Sequence, residues 1–383
     1  MHFLIDENIP YAEEFFAELG KITRFPGREL TPEQLVDADV LLVRSITKVN
    51  HELLSKAEKL KFVGTATIGE DHIDKELLAE RGINFSSAPG CNAVSVAEFV
   101  ISALFVLTEK YNFKLQDKTL GIVGVGNIGK ALKRKLEALG INLLLCDPPR
   151  QEAEQSDDFV ELNQLLQQSD IVTFHTPKTK TGKYPSFHLL NQSNLPLLKQ
   201  DVVLVNASRG EVIDNRALLE EILRREEANE AAIKLVLDVW ENEPCPLPEL
   251  IEHCDLATAH IAGYSLEGKA RGTEMLYHNV CELFGKEKDK NLSVMLPKHN
   301  IAQVVLNELP EQESEIKALT HMIYDIRRDD ALFRQLLNEK GFDWLRKNYP
   351  VRREWRSVKL QLMQQPNCSD QKAEKYLQLG FDI

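Results

Sequence analysis

Three polar residues stand just past three apolar runs: Arg209 after 202–208, Glu243 after 237–240, and His260 after 256–259. An arginine fork grips a carboxylate through two parallel hydrogen bonds and polarises a neighbouring carbonyl. A histidine paired with a glutamate is a general acid/base whose charged form the carboxylate supports. If the runs are neighbouring strands of an open parallel sheet, groups at their carboxyl ends converge on one crevice. Singly, each residue has a plainer reading: a surface ion pair for the arginine, a hydrogen-bonded strand-end ring for the histidine.

The stretch Gly124-Val125-Gly126-Asn127-Ile128-Gly129 shifts the balance toward chemistry. It is G-x-G-x-x-G between an apolar run, 120–123, and a helical pattern, 130–139, that stops at Gly140. Gly124 permits the tight turn, Gly126 lets backbone approach a pyrophosphate, and Gly129 lets helix pack close to strand. The next apolar run, 141–146, ends at Asp147, 18 residues past the last glycine (147 − 129). A carboxylate there accepts hydrogen bonds from the adenosine ribose and repels a 2′-phosphate, so NAD is favoured over NADP. The plainer reading is a glycine-rich turn. Loop and strand-end residues together suggest hydride transfer to or from a 2-hydroxy or 2-oxo acid.

The elements that must position these groups are legible as alternation. Up to about residue 90, short apolar runs (Phe3-Leu4-Ile5, Val40-Leu41-Leu42-Val43, Phe62-Val63-Gly64) alternate with helix-like patterns at 11–19, 33–36 and 52–57. Such alternation predicts a parallel sheet with crossover helices. Ala88-Pro89-Gly90 breaks the pattern, and an apolar core helix follows over about 93–110. Strands are predicted at 171–174, 202–205, 235–239 and 255–259, a helix at 215–225, and an amphipathic helix at 265–284. The charged stretch 285–290 reads as a linker to a separate small unit. That tail is locally basic: 327–356 holds nine Lys/Arg against five Asp/Glu, 9 − 5 = +4. Its apolar residues Ile316, Leu319, Ile323, Leu332, Phe333, Leu336 and Leu337 fall at helical spacings, for burial against a symmetry mate or back onto their own chain.

Composition excludes several classes. The 383 residues carry a net charge of 46 − 59 = −13, which argues against broad binding to nucleic acid or an anionic membrane. The cysteines (Cys91, Cys146, Cys245, Cys254, Cys281, Cys368) show no metal-ligand spacing and read as thiols in a reducing compartment. No metal is expected. The N-terminal residues do not read as a signal peptide, and 94–107 is too short to span a bilayer, so a cytoplasmic location is expected.

The chain resembles the D-isomer-specific 2-hydroxyacid dehydrogenases over residues 1 to about 284. The resemblance rests on the glycine loop, His175-Thr176-Pro177, Asn206-Ala207-Ser208-Arg209-Gly210, Asp238-Val239-Trp240-Glu241-Asn242-Glu243-Pro244, and His260-Ile261-Ala262-Gly263. It implies an α/β fold with two Rossmann-like doubly wound domains. A substrate-binding domain spans 1–92 with 264–285, and an NAD-binding domain spans 93–263. A small C-terminal α+β domain, 286–383, is implied to make a homodimer. Arg209, Glu243 and His260 are implied as catalytic, with Glu243 rather than Glu241 as the partner glutamate. Gly124, Gly126, Asn127, Ile128, Gly129, Asp147, Thr176, Asp238 and Gly263 are implied to hold NAD. Ser45, Thr67 and Tyr264 are implied to contact substrate. The stretches 6–11, 43–50, 64–69, 88–92 and 262–269 and the tail stretch 324–330 narrow the match to a branch acting on a small phosphorylated hydroxy acid, with Arg44 and Lys48 as candidate phosphate ligands. Plainer readings are turn-capping hydroxyls for Ser45 and Thr67 and a solvated strand-end acid for Asp238. Arg224-Arg225-Glu226-Glu227 departs from the family's spacing, in a helix–strand connection. Competing readings are a phosphoglycerate-oxidising member of the family and a dinucleotide-sensing binding protein.

Overall fold

The computed structural model describes residues 1–307, 312–363 and 369–383. The chain forms two compact units, residues 1–92 with 265–297, and residues 93–264 with 298–383.

The first unit is built on five parallel strands: β1 (His2–Asp6), β2 (Lys21–Phe25), β3 (Val40–Val43), β4 (Phe62–Thr65) and β5 (Asn84–Ser86), in spatial order β2-β1-β3-β4-β5. The inner strands β3 and β4 are buried along their whole length, as a parallel sheet covered on both faces requires. The edge strands are half-exposed. The helix Leu266–Leu283 closes one face, with its first turn capped by Ser265, whose Oγ accepts from the Gly268 N–H at 2.8 Å. It buries Ala270, Leu276, Tyr277 and Val280 against Phe3, Phe15 and Phe16. A side chain at Gly64 would meet Leu276 and Leu42 at 2.9 Å, so glycine there lets helix reach sheet. The charged stretch after this helix packs into the same unit: the Tyr277 hydroxyl donates to Asp289 at 2.6 Å, and the Leu292 N–H donates to Glu274 at 2.8 Å.

The second unit holds six parallel strands: β6 (Thr119–Val123), β7 (Asn142–Cys146), β8 (Ile171–Phe174), β9 (Val203–Asn206), β10 (Lys234–Leu237) and β11 (Leu256–Ala257). Their order is β11-β10-β9-β8-β6-β7. The order reverses beside β6, which makes this a doubly wound sheet with its switch point at the carboxyl end of β6. The helix Ala93–Tyr111 forms the core, with Val96 to Leu107 buried throughout.

Residues 298–383 pack within this second unit. They carry helices Glu313–Ile323, Arg327–Lys340, Phe342–Lys347 and Ser369–Leu379, and a parallel pair, β12 (Gln303–Leu306) with β13 (Lys359–Leu362). Polar and aromatic contacts fasten them. The Ser102 hydroxyl donates to the Tyr324 carbonyl at 3.0 Å, the Ala257 N–H donates to Asp330 at 2.8 Å, and Phe333 stacks on Trp240 at 5.7 Å. Ile316, Leu319 and Phe333, read in the sequence as candidates for a symmetry mate, are therefore buried on their own chain. Ile316 and Leu319 join the core around the helix Ala93–Tyr111, and Phe333 packs on Trp240 and Phe342.

Candidate active site

β9, β10 and β11 are neighbours in register, and the three polar residues follow their carboxyl ends. The loops that carry them are locked to one another. Asn206 at the end of β9 accepts from the Ser208 N–H (3.1 Å) and hydroxyl (2.8 Å), and its amide donates to the Arg209 carbonyl at 3.0 Å. A Cβ on Gly210 would lie 2.0 Å from the Trp240 carbonyl oxygen, so the β9 and β10 loops touch backbone to backbone.

Glu243 is held in the β10 loop by the Trp240 N–H, which donates to Oε1 at 3.0 Å. Its Oε2 lies 2.8 Å from His260 Nδ1. Burial acts to raise the Glu243 carboxyl, but the His260 ring, the Trp240 N–H and Arg346 together hold it below the usual carboxylate range. With Nδ1–H given to the carboxylate, the neutral ring carries its lone pair on Nε2, the atom left for a substrate proton.

His260 sits in the left-handed region at φ +57°, unusual for a residue with a side chain. Asp238 explains how the loop tolerates it. The Asp238 carbonyl accepts from the His260 N–H at 2.6 Å. Its carboxylate accepts from the Thr258 hydroxyl (2.6 Å), the Ile261 N–H (2.8 Å) and the Ala262 N–H (2.9 Å). Burial pushes this carboxyl up from its ordinary range, opposed by His260 and by those donors. Asp238 is thus a buried clamp on the loop 258–262 rather than a solvated strand-end acid. Tyr264 closes the loop, half-buried and edge-on to Tyr349 at 5.9 Å.

Glu241 and Glu243 are told apart by their partners. Glu241 pairs with His188 at 2.5 Å and caps the Asn215 N–H at 3.0 Å. His188, Asp214 and Glu241 come within metal-binding range of one another, but their polar atoms are spent on each other and on the start of the helix Asn215–Glu227.

The glycine loop lies at the end of β6. Gly124 has φ +90°, and a Cβ there would press on the His175 backbone at 2.8 Å. Gly126 faces open space, and the helix Asn127–Ala138 starts after it with no side chain capping its first N–H groups. A Cβ on Gly129 would lie 2.2 Å from the Gly124 carbonyl oxygen. Beyond the loop, the Thr176 hydroxyl is buried with no partner among the described residues. Open backbone, uncapped donors and an orphan hydroxyl fit a bound dinucleotide. Asp147 directly follows β7, accepting from the Val125 N–H (2.7 Å) and the Arg150 N–H (3.1 Å). Arg150, the nearby cation that could favour a 2′-phosphate, is occupied by Glu154 (2.7 and 2.9 Å) and the Val125 carbonyl (2.7 Å). His175 is buried, which pushes its pKa down to about 3, so its ring is a neutral packing element.

In the first unit, Ser45 and Thr67 follow the carboxyl ends of the adjacent strands β3 and β4. Ser45 is exposed. The Thr67 hydroxyl bonds Thr65 Oγ1 (2.8 Å) and the Gly69 carbonyl (3.2 Å), a local turn role. Cys91, Cys146, Cys245, Cys254 and Cys281 are not in disulfides, and Cys368 lies outside the described residues. Among the described residues, no helix is long and apolar enough to cross a membrane.

Comparison with known proteins places this geometry. Residues 105–262 match the family described as D-isomer specific 2-hydroxyacid dehydrogenase, NAD binding domain. Residues 295–380 match a domain of unknown function, DUF3410. The fold resembles D-lactate dehydrogenase from Aquifex aeolicus complexed with NAD and lactic acid: TM-score 0.59, 25% identity, covering 74% of this chain and 96% of that one. It also resembles 3-phosphoglycerate dehydrogenase from Entamoeba histolytica in fold, with a TM-score of 0.62 at 23% identity over 74% of this chain and 95% of that one. Fold and cofactor loop define an NAD-dependent dehydrogenase. Two curated relatives, both erythronate-4-phosphate dehydrogenases, align end to end. That of Pseudoalteromonas translucida is 52% identical over 100% of both chains, and that of Tolumonas auensis is 50% identical over 100% of this chain and 99% of its own. The chain belongs to the erythronate-4-phosphate dehydrogenase family, within the D-isomer-specific 2-hydroxyacid dehydrogenases.

Proposed function

We propose that the protein oxidises 4-phospho-D-erythronate at C2 to 2-oxo-3-hydroxy-4-phosphobutanoate in vitamin B6 biosynthesis. The observation that carries the mechanism is the 2.8 Å pair of His260 and Glu243, set beside Arg209 at the ends of three adjacent strands. Arg209 binds the substrate carboxylate and orients C2. His260 Nε2 takes the C2 hydroxyl proton as that oxygen becomes a carbonyl oxygen, and Glu243 supports the imidazolium that forms. Gly124, Gly126, Asn127, Ile128, Gly129, Asp147, Thr176 and Gly263 would hold NAD, which when bound would supply the acceptor for the C2 hydride. Asp238 serves that site by fixing the loop 258–262. Ser45, Thr67 and Tyr264 contact substrate, and Arg44 and Lys48 are the first candidates for its phosphate. The substrate-binding, NAD-binding and C-terminal segments act in one cytoplasmic enzyme, a setting that suits cysteines held outside disulfides.

The test is NADH absorbance at 340 nm with NAD and a panel of acids. Turnover of 4-phospho-D-erythronate well above that of 3-phospho-D-glycerate is expected. Preference for phosphoglycerate would move the chain to the competing substrate, and binding of NAD with no turnover of any acid would favour a sensing role.

The chain forms a homodimer through its tail in this reading. With Ile316, Leu319 and Phe333 buried internally, the support comes from the exposed tail residues Val305, Trp344, Val351, Met363 and Leu377. Sedimentation of the full-length chain is expected to give a dimer that Trp344→Asp or Val351→Asp weakens. A monomer, or a dimer indifferent to both changes, would remove the tail from that role.

A further inference from the structure

The loop after β4 carries a chain of hydrogen bonds that ends at Thr67. Thr65, the last residue of β4, is fully buried, and its hydroxyl lies 2.8 Å from Thr67 Oγ1 and 3.0 Å from His72 Nε2. The Thr67 hydroxyl donates to the Gly69 carbonyl at 3.2 Å. The directions follow from counting hydrogens, since a hydroxyl has one to give and a carbonyl has none. Thr67 gives its hydrogen to Gly69, so it accepts from Thr65. Thr65 has then spent its own, so it accepts from His72. The ring therefore carries a hydrogen on Nε2 and stands at the head of the chain.

The same residue joins the loops that follow the neighbouring strands β3 and β4. The Val49 N–H donates to the His72 carbonyl at 2.9 Å, and the Asp74 N–H donates to the Val49 carbonyl at 2.9 Å. Val49 and Ile73, bridged here, are both buried in the apolar core of this unit. The main chain of His72 thus holds the loop that carries Ser45 and the candidate phosphate ligands Arg44 and Lys48, while its ring holds Thr65 and Thr67. Thr67 is pinned through its carbonyl, which accepts from the Ala88 N–H at 3.0 Å. With the backbone fixed, what remains to be set is the rotation of the Thr67 hydroxyl, and the chain from His72 sets it.

A hydroxyl held this way meets a ligand as a donor. Thr65 occupies a lone pair, and the hydrogen sits on the longest bond of the three, beyond the ~2.7–2.8 Å usual for O–H···O. That weak bond to a neutral carbonyl is readily exchanged for one to an anionic oxygen, which is roughly twice as strong.

We propose that His72 is a positioning residue for substrate: through Thr65 it fixes the Thr67 hydroxyl as a donor to an anionic oxygen of the substrate, carboxylate or phosphate. This rests on the reading above that Thr67 touches substrate.

Steady-state kinetics of the full-length protein with saturating NAD test it. His72→Phe removes the donor and keeps a ring, and Thr65→Val removes the relaying hydroxyl with little change of shape. Each should raise KM for phosphoerythronate about two- to tenfold, the effect of one hydrogen bond, with kcat moving much less. The double variant should be no worse than either single one, because the chain is broken only once. His72→Gln, whose amide N–H can replace Nε2–H, should restore most of the affinity. Thr65→Val carries the test if His72→Phe does not fold. Lowered melting with KM unmoved, or a glutamine variant as impaired as the phenylalanine one, would mark His72 as structural and overturn the proposal. The Ki of D-erythronate as a competitor separates the two oxygens: a raised Ki in His72→Phe puts the donor on the carboxylate, and an unchanged Ki puts it on the phosphate. Thr67→Ala is the control. If it leaves KM unmoved, the reading of Thr67 falls and the proposal with it. If it raises KM while His72→Phe and Thr65→Val do not, the proposal alone is overturned.

Discussion

The carboxyl ends of the two sheets are furnished differently. In the second unit, β9 to β11 lead into polar and charged groups held by multiple short hydrogen bonds: Asn206 binds its own loop, Asp238 clamps residues 258–262, and Glu243 is fixed by Trp240 and His260. In the first unit, β3 is followed by half-exposed Arg44 and exposed Ser45, and β4 by Thr67, whose hydroxyl is satisfied by its own turn. Proton transfer fails when a group drifts by about 1 Å, whereas a recognition surface works by adding modest contacts. The locked ends suit chemistry, and the lightly furnished ends suit selection of substrate.

The comparison breaks most readily at His260. His260→Ala is expected to lower kcat by ~10²–10⁴-fold with NAD binding nearly unchanged, as read by fluorescence titration. A loss below tenfold would show that proton transfer lies elsewhere. Asp238→Asn comes next. An amide offers one acceptor oxygen to three donors, so the loop should lose about 1–3 kcal/mol of stability and kcat should fall with it. Unchanged melting and kcat would mean that the clamp is not what holds His260 at positive φ. Asp147→Ala should weaken NAD and narrow its advantage over NADP, measured as the ratio of kcat/KM values, because the like charge facing a 2′-phosphate is gone. Equal use of NADP by the unmutated protein would remove Asp147 from this role. The smallest effect belongs to the first unit: Thr67→Ala should raise KM a few-fold and leave kcat almost intact. A collapse in kcat instead would place chemistry on both sheets.

Much of the second unit was legible because its signals are local. Gly124 to Gly129 must be glycines where φ is positive or where backbone lies within contact of a Cβ, and such constraints show in a single stretch. Arg209, Glu243 and His260 could be placed because buried parallel strands read as unbroken apolar runs. β2 and β5 were missed, since Lys21-Ile22-Thr23-Arg24-Phe25 and a three-residue edge strand carry weak patterns. The segments 33–36 and 52–57, read as helical, overlap 3₁₀ turns at Pro32–Leu35 and Leu53–Lys56; Thr31 and Gln34 close the first with a capping box. Asp238's carboxylate partners lie about 20 residues onward, so no local window announces its role. The tail's helices were visible, but helical spacing of Ile316, Leu319 and Phe333 cannot say whether their cover is another copy or the helix Ala93–Tyr111 and Trp240.

The most direct test follows one hydrogen atom. 4-Phospho-D-erythronate carrying deuterium at C2 is incubated with enzyme and NAD, and the reduced cofactor is examined by mass spectrometry and NMR. The expected result is deuterium at nicotinamide C4 with one equivalent of 2-oxo acid formed, and loss of this transfer in His260→Ala. Unlabelled reduced cofactor, or undiminished transfer in His260→Ala, would contradict oxidation at C2 by these residues.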